Sequence, residues 1–282
     1  MSVFLVPDSI IKVKIADVTL SIKQKVIPDG ARATRNVASW CRKGAPMKPL
    51  LPLGGDGRAR GVVIHNTDDI ATDPRTDPAE QYTRATWPNC HMSGAAVHFY
   101  VWHDSIWQNL RLDERGWHAG DGSSRRSDAR GGLIGGNTDC IAVECIGKDP
   151  ESEKTATALA AWLLKTHGLS VSDLYTHKFF SPKKNCPEYI LDHWAAFVQG
   201  VKALMDADDP KAADNAPERG YYPRCVYTGR SIVDGLKSVS AKASFAERRK
   251  IATANGIRDY KGLASQNSAL LGLLKKGELK KP

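Results

Sequence analysis

Apolar and polar positions alternate through Ile11-Lys12-Val13-Lys14-Ile15 and again through Val18-Thr19-Leu20-Ser21-Ile22. That period of two predicts two short strands or a hairpin. Residues 30–60 hold Gly, Pro and Arg with no sustained period, a loop-like approach to the first core strand. Gly61-Val62-Val63-Ile64 is an apolar β-branched run bounded by Gly and polar residues, the pattern of a buried strand. Asp77 caps a helix that has Pro78 at its first position and is ended by Pro88. Ala95–Trp102 and Ser105–Leu110 are two strands around His103-Asp104, a hairpin. Cys140–Gly147 is another strand, with Glu144 out of character in its centre. Glu151–His167 carries Ala158, Ala161, Trp162 and Leu164 at helical spacing before a capping Gly168. A second helix is predicted from Glu188 to Ala207 on Ile190, Trp194, Phe197 and Val201. Strands and helices that alternate in this way predict an α/β domain with a mixed central β-sheet flanked by helices.

After Asp206 the pattern disappears into a polar, Pro-containing stretch, so residues 1–206 are expected to form the main domain with an N-terminal extension and 207–220 a linker. From Tyr221, apolar residues at Ile232, Val233, Leu236, Phe245, Ile251, Leu270, Leu271, Leu273 and Leu274 predict three short helices. This small, mainly helical C-terminal domain, 221–282, would be only marginally stable alone.

Composition adds limits. With 282 residues, 41% of them hydrophobic, the chain can form one large core plus a small second unit. No continuous apolar run reaches membrane-spanning length, so no membrane anchor is expected. Met1–Asp8 shows neither a basic n-region nor a small-residue cleavage site, which predicts a protein made and kept in the cytoplasm until something else releases it. The 6 cysteines, at 41, 90, 140, 145, 186 and 225, are too sparse and irregular for a disulfide scaffold and fit a reduced compartment. The net charge of +9 lies wholly in the tail: from Lys211 onward 15 Lys plus Arg stand against 6 Asp plus Glu, and the preceding part is balanced. Such a tail suits an anionic polymer, or it is a solvated charged face. No aromatic-interleaved basic stripe or reading motif accompanies it, so nucleic acid is not an expected partner.

The candidate chemistry gathers around Thr176-His177-Lys178-Phe179-Phe180-Ser181-Pro182-Lys183-Lys184-Asn185-Cys186-Pro187. An imidazole and a thiol in one turn-prone stretch are donors that Zn²⁺ takes, and His65, at the end of the Val63-Ile64 run, is the best third. Three protein ligands leave a fourth tetrahedral position for water, the mark of a catalytic zinc. Glu144 would handle the proton of that water, and Lys184 would face negative charge growing on a carbonyl oxygen, a combination suited to amide hydrolysis. Plainer readings stand beside each: His65 as a hydrogen-bonded core histidine, Cys186 as a small buried hydrophobe, Glu144 as an edge carboxylate paired with a cation, Lys184 as one more surface lysine.

Five segments carry a resemblance: Val63-Ile64-His65-Asn66-Thr67, Val97-His98-Phe99-Tyr100-Val101, Gly116-Trp117-His118-Ala119-Gly120-Asp121-Gly122, Ile141-Ala142-Val143-Glu144, and Tyr175-Thr176-His177 through Lys184-Asn185-Cys186-Pro187. In this order they resemble zinc-dependent N-acetylmuramoyl-L-alanine amidases of type 2, most of all the endolysins of phages and prophages of Gram-positive bacteria, related in fold to peptidoglycan recognition proteins. The resemblance spans roughly residues 45–205. It implies Zn²⁺ held by His65, His177 and Cys186, Glu144 as acid or base, Lys184 as oxyanion-stabilising residue, and His98, Trp117 and His118 along a peptidoglycan groove. The implied reaction cuts the amide between N-acetylmuramic acid and the L-alanine of the stem peptide. Some relatives have a tyrosine where this chain has Val97, which puts more weight on Glu144. The tail resembles small C-terminal modules of Gram-positive phage lysins, implying a cell-wall-binding domain for an anionic wall polymer. Recognition proteins that lack the Cys ligand bind the wall without cutting it, so a non-catalytic receptor is the rival expectation.

Overall fold

The computed structural model describes residues 4–36, 42–67, 77–91, 94–120, 125–208 and 220–282, except positions 223, 226, 228 and 240. Most of the expected linker and the Asp121-Gly122 end of the third motif lie outside them. The chain divides into two compact units, Met1–Asp208 and Asp209–Pro282.

The first unit is built on a seven-stranded mixed sheet. Its strands are β1 (Ser9–Ile15), β2 (Val18–Gln24), β3 (Gly61–Thr67), β4 (Phe99–Trp102), β5 (Ser105–Gln108), β8 (Cys140–Ile146) and β9 (Leu174–Thr176), and the order across the sheet is β1-β2-β5-β4-β8-β3-β9. The β1–β2 and β4–β5 pairs are antiparallel hairpins, and β4, β8, β3 and β9 run parallel. The N-terminal hairpin is more than an extension: β2 joins the sheet in parallel with β5, with Ile22 opposite Ile106. A separate two-stranded ribbon pairs β6 (Arg126–Ser127) with β7 (Leu133–Ile134).

Both faces of the central strands are covered, which is why they read as continuous apolar runs rather than as alternating ones. Val62, Ile64, Ile141, Val143, Phe99 and Val101 form one face and pack in the main core with Leu159, Leu163 and Phe197. Those three come from α3 (Pro150–Thr166) and α6 (Trp194–Ala207). The opposite face presents Val63, Ala142, Tyr100 and Trp107, partly covered by α1 (Pro78–Thr86) through Ala79.

The helix predicted over 188–207 is two helices, α5 (Glu188–Leu191) and α6, separated at Asp192 and His193. His193 leaves helical geometry at φ −132°, ψ 29°, and its Nε2 lies 2.8 Å from Glu153 Oε2 on α3. That tertiary bond fixes the break in a segment whose local period is helical throughout. The aperiodic 30–60 stretch also has an anchor that the sequence concealed. Lys48 is 2% exposed and reaches Glu114 at 2.7 Å and Asp29 at 2.8 Å, beside the small core of Ile27, Met47, Cys90 and Leu110. A buried ammonium persists only when paired in this way.

The second unit holds α7 (Ile232–Ser238), α8 (Phe245–Ala254) and α9 (Ala264–Lys276) among its described residues. Ile232, Leu236, Ile251, Leu270, Leu271 and Leu274 fill its core, whereas Phe245 stays at the surface against Tyr260. Ser231 and Ser244 cap α7 and α8, and α9 ends at Gly277 in the left-handed region.

Asp77 does more than cap α1. Its carboxylate accepts from the backbone of Ala79 and Glu80, from Ser105 Oγ and from the Trp107 indole at 3.3 Å, so it ties α1 to β5. Asp77→Ala should cost about 2–3 kcal/mol, since a cap is lost and buried donors are left unmade. Urea unfolding followed by Trp fluorescence checks this, and a loss under about 0.5 kcal/mol would contradict the bridging role.

Candidate metal centre

Strand register supplies the first half of the site. In the parallel β3–β8 pair His65 stands opposite Glu144, and in the β4–β8 pair Glu144 stands opposite Tyr100. Registered partners share a face, so the imidazole and the carboxylate emerge side by side from the face away from the main core. Asn66, the next residue, fastens that strand end. Its amide donates to the Cys145 and Gly147 carbonyls at 2.9 and 2.8 Å and accepts from Tyr189 N at 3.1 Å.

The second half is the 176–187 loop. Thr176 Oγ1 accepts from Phe179 N at 3.1 Å and starts the single turn α4 (His177–Phe180), which sets His177 at the end of β9. Lys178 N donates to the Cys186 carbonyl at 2.8 Å, which folds the thiol back toward the histidine. The Tyr189 bond to Asn66 then docks the segment beyond Cys186 against β3.

One donor atom from each of His65, His177 and Cys186 lies within 4.8 Å of the others, and this is the one such cluster of metal-binding side chains among the described residues. Cys186 Sγ is 3.7 Å from His65 Nδ1. Tetrahedral zinc with N and S ligands sets that edge at about 3.6 Å, so the donor types and their spacing both fit the ion. Burial and the neighbouring rings of His118 and His177 keep the His65 pKa well below the usual imidazole range, leaving a neutral ring with a lone pair to offer.

A cleft of about 610 Å³ opens over this point, and Val97, Trp117, His118, Glu144, His177 and Lys184 line it. Glu144 and Lys184 are thus brought to one cavity with the donor cluster. The Glu144 carboxyl is pushed up to about 8 by burial. Trp117 is fixed by backbone pairing with Ala96 at 2.9 and 3.0 Å. Val97 lines the wall where some relatives have a tyrosine, so no hydroxyl enters the cleft from that position.

His98 does not reach the groove, contrary to expectation. It has no exposed surface; its Nδ1 accepts from Ala142 N at 3.0 Å and its Nε2 donates to the Glu114 carbonyl at 2.9 Å. Burial lowers its pKa to about 4, so it is a neutral structural ring that bonds β4 to β8 and to the 114 loop. Its place beside Phe99 on a strand gave no local sign of that. His118 does line the cleft, but both its ring nitrogens are engaged, one with His65 and one with the Cys140 carbonyl. The bracing role of Asn66 is not legible in the sequence: an Asn beside a histidine carries no periodic signal, and its partners are distant along the chain.

Residues 55–189 match the Amidase_2 family model, described as N-acetylmuramoyl-L-alanine amidase. This part of the chain is similar to that amidase family. The matched span contains His65, Glu144, His177, Lys184 and Cys186. Two curated relatives from Bacillus subtilis (strain 168) are similar to the chain. They are N-acetylmuramoyl-L-alanine amidase XlyA, 32% identical over 187 residues (64% of this chain, 51% of the relative), and N-acetylmuramoyl-L-alanine amidase CwlH, 31% identical over 167 residues (55% and 60%). The L-alanyl-D-glutamate peptidase of Listeria phage A118 matches at 45% over 47 residues, 17% of each chain. The chain thus spans between half and three-fifths of the length of the two amidases it matches.

The raised Glu144 carboxyl has a thermodynamic signature. An acid whose pKa is raised on folding, here from 4.5 to about 8, adds stability that is complete below its unfolded value and is lost as pH rises through the folded one. In metal-free protein, the Tm advantage of Glu144→Gln over the parent should therefore grow from near zero at pH 4.5 to a maximum above pH 8. A difference that stays flat across that window would contradict a buried carboxyl.

Proposed function

We propose that the first unit hydrolyses the amide between the lactyl group of N-acetylmuramic acid and the L-alanine of the peptidoglycan stem peptide, and that His65, His177 and Cys186 hold Zn²⁺. The observation that carries this is the convergence of two imidazoles and a thiol beneath an open cleft that also presents a half-buried carboxyl group and a lysine. The family match and the two B. subtilis amidases support the same bond.

Bound zinc would supply a Lewis acid and a water acidified toward neutral pH. Glu144, ionised beside the bound cation, accepts the proton of the attacking water and later delivers it to the leaving L-alanine nitrogen. Lys184, on the cleft wall, meets the negative charge that develops on the carbonyl oxygen. Trp117 offers an aromatic face for the sugar or the stem peptide. At this cavity volume the cleft takes a sugar with part of its peptide, and its open side admits a polymer.

The chain as a whole is proposed to be a phage or prophage lysin of Gram-positive walls. It would be made in the cytoplasm and act on the wall after lysis, with the basic second unit held on an anionic wall polymer that raises local substrate concentration. The motif order and the phage peptidase relative support this reading. Among the described residues, no helix is long and apolar enough to cross a membrane.

Purified protein loaded with zinc should release new stem-peptide amino groups from Gram-positive cell walls. Glu144→Ala should keep its zinc and lose about 10²–10⁴-fold of that rate, the range for a proton-transfer residue. Cys186→Ala should lose both metal and activity. Release of no amino groups by the zinc-loaded parent, with walls bound, would assign the protein instead to non-catalytic recognition.

A further inference from the structure

A relay of three polar groups runs away from the metal side of His65. His65 Nε2 lies 3.1 Å from His118 Nδ1, and His118 Nε2 lies 3.3 Å from the Cys140 carbonyl. The carbonyl can only accept, so the proton of His118 sits on Nε2 and its Nδ1 carries a lone pair. That lone pair must in turn be met by a proton on His65 Nε2. His65 Nδ1 is then bare, and it is Nδ1 that faces Cys186 Sγ at 3.7 Å.

His118 is itself clamped. Its backbone N–H and that of Ala119 both donate to Asn137 Oδ1, at 2.6 and 2.7 Å. Asn137 belongs to the short helix α2 (Gly136–Asp139), directly before β8, whose first residue Cys140 supplies the accepting carbonyl. Both ends of His118 are therefore referenced to one rigid stretch of chain. The fit is close at the adjoining glycines: a Cβ at Gly120 would lie 2.2 Å from Asn137 Nδ2, and one at Gly136 2.4 Å from Ala119 Cβ.

We propose that His118 is a positioning residue: Cys140 and Asn137 hold it in the Nε2–H tautomer so that it fixes His65 as the Nδ1 metal donor. This gives the histidine expected along the substrate groove a different task, since both of its ring nitrogens are already engaged. Partners that orient a ligating imidazole set both its tautomer and its basicity, and losing one typically lowers metal affinity by about 10–100-fold. The proposal rests on the metal-site reading above but not on which bond is cleaved.

Long-range ¹H–¹⁵N spectra of metal-free protein read the tautomer directly. The parent should show His65 protonated at Nε2 and bare at Nδ1. His118→Phe keeps a ring but removes the acceptor; the His65 signals should move toward a mixed or Nδ1–H form, and zinc affinity measured by chelator competition should fall by about 10–100-fold. His118→Asn restores an acceptor near the place of Nδ1 and should recover both the tautomer and most of the affinity. A parent with His65 protonated at Nδ1 overturns the proposal whatever the variants do. So does a folded His118→Phe with unchanged spectra and affinity, and so does an Asn variant no better than Phe. Wall hydrolysis enters none of these readouts, so failure of the amidase reading would be seen separately.

Discussion

The parallel register between β3 and β8 is the constraint on which the site depends. With His65 opposite Glu144, the proposed metal donor and the proposed proton carrier leave the sheet at the same level and on the same face. Side chains alternate along a strand, so a slip of one residue would send His65 into the main core and bring Ile64 or Asn66 to the cleft. The slip is opposed by both faces at once. Val62, Ile64, Ile141 and Val143 interlock under α3 and α6, and the Asn66 amide is bonded to the carbonyl of Cys145, its register partner, and to that of Gly147 just beyond the pairing. A sheet buried on both sides is a rigid platform, and catalytic groups on strands are held more closely than groups on loops.

Against that platform the 176–187 loop is the part that must be brought in. Its bonds work in concert: Thr176 begins the turn that carries His177, the Lys178–Cys186 backbone bond closes the loop on itself, and Asn66 fastens the chain at Tyr189. None of these is strong alone, at about 1 kcal/mol net each. Together they remove the conformational freedom that a bound ion would otherwise have to restrict, and so leave more of the metal's binding energy available. The neutral, desolvated histidines around the cluster act in the same direction, because an uncharged ring offers its lone pair without first losing a proton.

Much of this was legible along the chain. The two hairpins, the strands at 61–67 and 140–146, the Asp77 cap and the three helices of the second unit follow from local period and from residues such as Pro78 and Gly277 whose backbone preferences act within a few positions. Glu144 was visible as a carboxylate in an apolar run, and His65, His177 and Cys186 as donors at the ends of ordered segments. Less legible were the functions of histidines. His98 and His118 both sit in motifs with aromatic neighbours, yet one is a sealed brace and the other shares a hydrogen bond with His65.

The sequence by itself determined which segments become strand or helix and which residue types could hold a metal, because period, capping and donor chemistry are properties of near neighbours. Only the tertiary structure decided which donors meet, that the N-terminal hairpin joins the sheet, that a helical period breaks at His193, and which nitrogen of His65 is bare. Those outcomes depend on partners 40 to 121 residues away, Glu153 for His193 and Cys186 for His65. The physical reason is that hydrogen bonds, burial and strand register act through space, and an imidazole's role is set by what its two nitrogens face rather than by the residues beside it in the chain.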